Sequence, residues 1–278
     1  MNAFPDRNQN FITTILLAIY LFIRIILIQL LDYLFNPLPP FVVISIQLAM
    51  YLLIIALLVL SKNDLTMNNI DNLSIYLILV GGILLALNYS SSFFAILSSL
   101  VFITITFWVF FTFWKLKILS LRIHRSDIIF MIVGFLSGLF LSFLFTTPSI
   151  TQLRMSTGQL TPRWSTIIIA FSINFLFHFS NAAILEEPIY RGFLWGYFRK
   201  KGWKNHYILL MTTLIFWLSH INFMDNPFSF LLFTPLAGLT FGILTWWSGS
   251  ITSAIVAHST LNSMRGLAVD VIRKFMNL

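Results

Sequence analysis

Cysteine is missing from all 278 residues. That excludes a thiol nucleophile, a disulfide framework and any thiolate metal site. Charge is scarce as well. Nine per cent of residues are charged, against about 25% in an ordinary soluble domain. Glutamate is scarcest of the ionisable residues: the chain has only Glu186 and Glu187, side by side. No polar stretch is long enough to build a soluble domain, and no sustained apolar–polar alternation suggests barrel strands. What is present is hydrophobic residues, 58% of the chain, in runs near the 20 or so residues that span a bilayer. The fold class this predicts is all-α, a polytopic transmembrane helix bundle.

The runs predict spans at 11–31, 41–61, 74–88, 92–114, 128–147, 166–198, 206–223, 228–247 and 250–270. That is nine, or eight if Asn88-Tyr89-Ser90-Ser91 does not form a turn. The first run follows a short polar leader and has no small-residue cleavage site, so it reads as a retained helix rather than a signal peptide. The net charge of +8 comes from short basic connections, Lys115, Lys117, Arg122 and Arg125 in one and Arg199, Lys200, Lys201 and Lys204 in another. This pattern implies a lipid bilayer as partner, not nucleic acid. It places both loops and the N-terminus in the cytoplasm. Arg154, Arg163, Arg273 and Lys274 are the exceptions.

Polar residues inside spans divide the chain. Residues 1–125 carry few, Arg24 being the exception with no assigned role, and read as N-terminal packing and lipid-contact helices. Residues 126–278 read as the working core, with the active site among the C-terminal helices. Three clusters stand out there: Glu186-Glu187-Pro188-Ile189-Tyr190-Arg191, Phe216 with His220, and His258 with Asn262. A carboxylate within a bilayer costs roughly 2.5–3.5 kcal/mol on insertion scales, so the glutamates call for a functional reading. Folding 166–198 onto 206–223 about Trp203 sets Glu186 opposite His220. Folding the last two spans about Ser248-Gly249 sets His258 between Gly238 and Gly242, a spacing that permits close helix approach. Glu187 and Arg191, four apart, suit a helical ion pair, which leaves Glu186 the freer carboxylate. Pro188 is expected to kink this helix.

A carboxylate in an apolar site can act as a general base, a histidine can share its proton, and a second histidine with an amide can face a developing oxyanion. That set suits attack of water on a peptide bond. The order Glu-Glu-x-x-x-Arg, Phe-x-x-x-His, His-x-x-x-Asn resembles the CAAX-protease and bacteriocin-processing (CPBP, or Abi) family of intramembrane endopeptidases. The motifs cover roughly residues 166–265 without substitution. The resemblance implies an all-helical membrane bundle whose site opens to the cytoplasm. It implies that Glu186 and His220 activate water, that His258 and Asn262 form the oxyanion hole, and that Glu187 and Arg191 support the geometry, with Phe216 part of the second motif. The implied substrate is a peptide or membrane-attached protein. Members of the eukaryotic type cleave prenylated CAAX proteins. Bacterial members, which this small chain resembles more, are linked to bacteriocin and pheromone processing, self-immunity and surface-protein display.

Blander readings stand beside these. The glutamates suit a cap at a helix end, the histidines packing, and Asn262 an interhelical hydrogen bond. His178, eight residues before Glu186, suits packing better than a role in the site; His124 and His206 sit in basic loops. Glu186, His220 and His258 are also the residue types of a zinc site. Against zinc, there is no His-Glu-x-x-His and Arg191 adds positive charge, so a reaction without cofactor leads. A non-catalytic immunity or interaction protein is the rival class. A proton-coupled transporter is a third, disfavoured because no paired halves with broken helices are seen.

Overall fold

The computed structural model describes residues 7–35, 37–87, 93–119, 125–146 and 163–276. The described residues fold into ten helices and one short 3-10 turn, Ile221–Phe223. The helices are α1 (7–35), α2 (Pro40–Leu60), α3 (Asn72–Leu87), α4 (Phe93–Lys115), α5 (Arg125–Thr146), α6 (Trp164–Lys200), α7 (Asn205–Leu218), α8 (Ser229–Ser248), α9 (Thr252–Arg265) and α10 (Ala268–Met276). No strand occurs among them. Segments this apolar form helices because a helix satisfies its own backbone donors and acceptors where water is absent. Five of them, in α1, α2, α5, α6 and α8, are long and apolar enough to cross a membrane, while 72–87, 99–115 and 205–218 are shorter apolar helices. The protein is therefore an all-α polytopic membrane bundle. The Asn88–Ser91 turn, Arg122, His124 and Arg154 lie outside the described residues.

Local chemistry sets the boundaries. Pro40 opens α2, where its missing N–H is not needed. Gly249 closes α8 at φ 69°, a left-handed cap that side chains resist. The helix through Pro188 does not break. It runs unbroken from Trp164 to Lys200, and a π turn at Pro188–Phe193 absorbs the missing donor, with the Leu194 N–H bonded to Ile189 O. The expected kink is thus taken up as a change of hydrogen-bond register.

Helix α9 is the hub, in contact with α5, α6 and α8. Every residue from Thr252 to Leu261 is buried. Gly134 of α5 faces the Ser253 carbonyl and Gly138 faces the Ala257 carbonyl, with no room for a Cβ at either. Both positions advance by four, so α5 and α9 run parallel. The close approach expected between Gly238-x-x-x-Gly242 and the last long helix is not formed. Gly238 faces Phe216 and Thr213 of α7, and Gly242 faces Leu209 of α7 and Trp195 of α6.

Helix α1 is peripheral. Phe11, Ile15, Ile19 and Phe22 are exposed, suited to lipid, whereas Leu17 and Tyr20 are buried. The loop after α2 turns back into the bundle. Asn69, at φ 53°, donates from Nδ2 to Arg191 O at 3.1 Å, and its carbonyl accepts the Ile251 N–H at 2.9 Å. One buried asparagine therefore ties the N-terminal helices to α6 and α9.

Candidate active site

The two glutamates sit in a short α-helical stretch of α6, Ile184–Glu187, between π turns at Phe179–Ala183 and Pro188–Phe193. Both are buried in the middle of a continuous helix, which rules out a cap at a helix end. Their directions differ. Glu187 turns inward to Arg191, 3.4 Å away, and to Nδ1 of His258 at 2.7 Å. Arg191 is itself fully buried, donates from Nη2 to Gly238 O at 2.8 Å, and lies 4.4 Å from the centre of the Phe216 ring. This side chain needs its carboxylate, its carbonyl and its aromatic face together, because an unpaired buried cation is strongly destabilising.

Glu186 faces His220. Its Oε2 lies 3.6 Å from Nε2 of His220, too far for a direct hydrogen bond. Nδ1 of His220 lies 2.8 Å from Phe216 O. A carbonyl can only accept, so Nδ1 carries the hydrogen and Nε2 of the neutral ring is an acceptor. The hairpin register about Trp203 thus brought the intended pair together.

Phe216 supplies the wall that joins the motifs. Its ring packs 4.4 Å from His220 and 6.1 Å from His258. His258 stacks on Phe241 at 4.9 Å with planes 18° apart. With Nδ1 committed to Glu187, Nε2 is the ring nitrogen left for the cavity that His258 lines. Glu186, Phe216, His220, His258 and Asn262 all line one cavity of about 200 Å³. Glu187 and Arg191 stand behind it. His178 lies off it, edge-on to Phe177 at 5.3 Å, and His206 packs on Tyr207 at 4.2 Å.

One ionic partner of the glutamates was missed. Arg24 of α1, which had no assigned role, reaches Glu186 Oε1 at 2.5 Å from Nη2. Glu186 is therefore not the freer carboxylate. The only signal in the sequence was an arginine in mid-span, which should have a partner. Tyr20, one turn earlier, donates to the Leu185 carbonyl, so two side chains of α1 dock on one turn of α6. Arg24 lies in a π turn, Ile23–Leu27. It also lines a second cavity of about 200 Å³ with Ile28, Leu38, Val43, Met50 and Glu186. Asn222, Phe223 and Arg265 line the first and were not singled out either.

The zinc alternative finds no such grouping. Among the described residues no three His, Asp or Glu side chains are arranged to hold a metal ion. Glu186 pairs with Arg24 and His220, while His258 turns to Glu187.

Comparison with known proteins adds one match. Residues 159–264 match the family described as type II CAAX prenyl endopeptidase Rce1-like. The matched segment spans α6 to α9 and holds all three motifs, in agreement with the resemblance they carry. It covers less than half of the chain and leaves out Arg24. No curated protein and no solved structure matches significantly. The matched segment thus supplies every polar side chain lining the cavity except two guanidiniums, Arg24 from α1 and Arg265 at the end of α9.

Proposed function

We propose that this protein is an intramembrane endopeptidase that hydrolyses a peptide bond by activated water, with no metal. The observation that carries the reading is the facing of Glu186 Oε2 and His220 Nε2 across 3.6 Å, both acceptors, in the cavity that His258 and Asn262 also line. Two acceptors share no hydrogen between them. A water molecule placed there can donate to both, and loss of one proton to Glu186 makes it a nucleophile. His220 fixes the orientation of that water and takes part in returning the proton to the leaving amine.

His258 and Asn262 serve the oxyanion. The Asn262 amide donates directly. His258 donates from Nε2 only when the Glu187–His258 pair holds one proton beyond a carboxylate and a neutral imidazole. Glu187 fixes the ring through Nδ1 at 2.7 Å, which leaves Nε2 for the cavity. Arg191 keeps Glu187 aimed. The electrostatics oppose a divalent cation, because the Arg24 guanidinium already occupies Glu186 Oε1. The substrate class is a peptide or membrane-attached protein. Bacteriocin or pheromone processing, self-immunity and CAAX-type processing all present such a bond.

Glu186→Gln tests the reading. It keeps shape and removes the base, and turnover should fall at least about 100-fold, the usual share of general-base catalysis. Comparative peptidomics of cells carrying wild type or Glu186→Gln reads both the loss and the substrate. Wild-type activity should persist in excess chelator. An unchanged peptide profile, together with a phenotype that survives the substitution, would favour a protein that only binds.

A further inference from the structure

The bundle has two chemically different ends. At one end, Arg199 donates to Met67 O at 3.0 Å and Lys200 pairs with Asp64 at 2.6 Å, so the α6–α7 loop meets the α2–α3 loop. Asn10 and Thr14 of α1 line a cavity with the same residues, which brings the start of α1 there. Ser250 meets Ser74 at 3.2 Å, which adds the α8–α9 turn. Because α5 runs parallel to α9, Arg125 at the start of α5 lies at this end too, and Lys115 and Lys117 precede it closely in the chain. Lys62, Lys201 and Lys204 complete a strongly basic rim.

The proposed catalytic cavity lies toward the other end. Glu186 is 13 residues before Arg199, or about 20 Å of helix at 1.5 Å per residue. His220 lies just beyond the far end of α7, whose 14 residues start at the basic rim. The cavity is then lined by Asn222 and Phe223 of the turn after α7 and by Arg265, the last residue of α9. Asn222 and Arg265 are exposed. Leu38 of the α1–α2 connection and Val43 in the first turn of α2 line the neighbouring cavity, which Arg24 also lines. With a hydrocarbon core of about 30 Å, the glutamate sits roughly 10 Å below the surface away from the basic rim.

Basic connecting loops stay in the cytoplasm. We propose that the catalytic cavity opens to the non-cytoplasmic face of the membrane, and that its substrates are peptides or protein segments exposed on that face. The resemblance of the motifs led to the opposite expectation, a site open to the cytoplasm. The charge asymmetry and the depth of Glu186 oppose it. The substrate clause rests on the endopeptidase reading; the orientation does not.

The absence of cysteine makes the test clean. Asp225→Cys places one thiol in the exposed turn beside the cavity mouth, and Lys201→Cys places one in the basic rim. A membrane-impermeant maleimide applied to intact cells should label Asp225→Cys. Lys201→Cys should be labelled only after the membrane is permeabilised. Labelling of Lys201→Cys in intact cells, with Asp225→Cys protected until permeabilisation, overturns the proposal. The readout needs no activity. Reversed labelling with an inactive Glu186→Gln removes the orientation and the substrate clause while the endopeptidase reading stands. The expected labelling with a fully active Glu186→Gln removes the endopeptidase reading and its substrate clause while the orientation stands.

Discussion

Glu186 divides its work between two oxygens, Oε1 held by Arg24 at 2.5 Å and Oε2 turned to His220. A carboxylate fixed at one oxygen presents the other in a single direction, and small errors of placement at a reacting centre can lower a rate by about 100-fold. Arg24→Gln is therefore expected to lower kcat by about 10- to 100-fold with little change in KM, and Arg24→Lys to keep most of the rate. Steady-state kinetics of purified protein read both. A raised KM at constant kcat would instead assign Arg24 to substrate binding. The sequence revealed the Glu186–His220 pair because one hairpin relates them and 1.5 Å per residue fixes their depth. It revealed Glu187–Arg191 because four residues separate them on one helix. It concealed Arg24, because no local rule links residues 162 apart in the chain.

At the scale of elements, the site is built where helices leave the α pattern. Arg24 lies in a π turn, the glutamates lie between two, and Phe233 at the end of a fourth lines the cavity. Each π turn shifts side-chain direction without ending the helix, and such turns gather at functional sites. Pro188 signalled one of them, although as an expected kink. The turn at Ser229–Phe233 runs into Pro235, while those at Ile23–Leu27 and Phe179–Ala183 have no proline in them. Helix contacts were likewise only half legible. Small residues four apart mark close approach, but spacing does not name the partner. Gly238 and Gly242 proved to serve α7 and α6, while Gly134 and Gly138 serve α9. Gly138→Leu would drive a side chain into the Ala257 carbonyl and Thr260. It should destabilise the bundle by about 1–3 kcal/mol or more, the range for overpacking. Gly266→Ala meets nothing within 4 Å and should leave stability unchanged. Thermal unfolding in detergent compares the two.

At the scale of the whole molecule, the helical membrane fold was legible because composition alone decides it, while the assembly was not. The matched segment, residues 159–264, contains the motifs but not their full charge balance. Asn69, Tyr20 and Arg24 close the structure from outside it. A fragment of residues 159–278 alone is expected to lack activity, and supplying residues 1–158 as a second chain to restore it. Co-expression of the two halves, assayed beside the intact protein, checks this. The pairing of Arg24 with Glu186 also has a consequence for biogenesis. Arg24 is synthesised 162 residues before its counter-ion. At about 5–20 residues per second, α1 waits roughly 8–32 s for that partner to emerge from the ribosome. During this interval the arginine must be sheltered by water, headgroups or the insertion machinery. The newborn chain is therefore most vulnerable to quality control just before its last third is made.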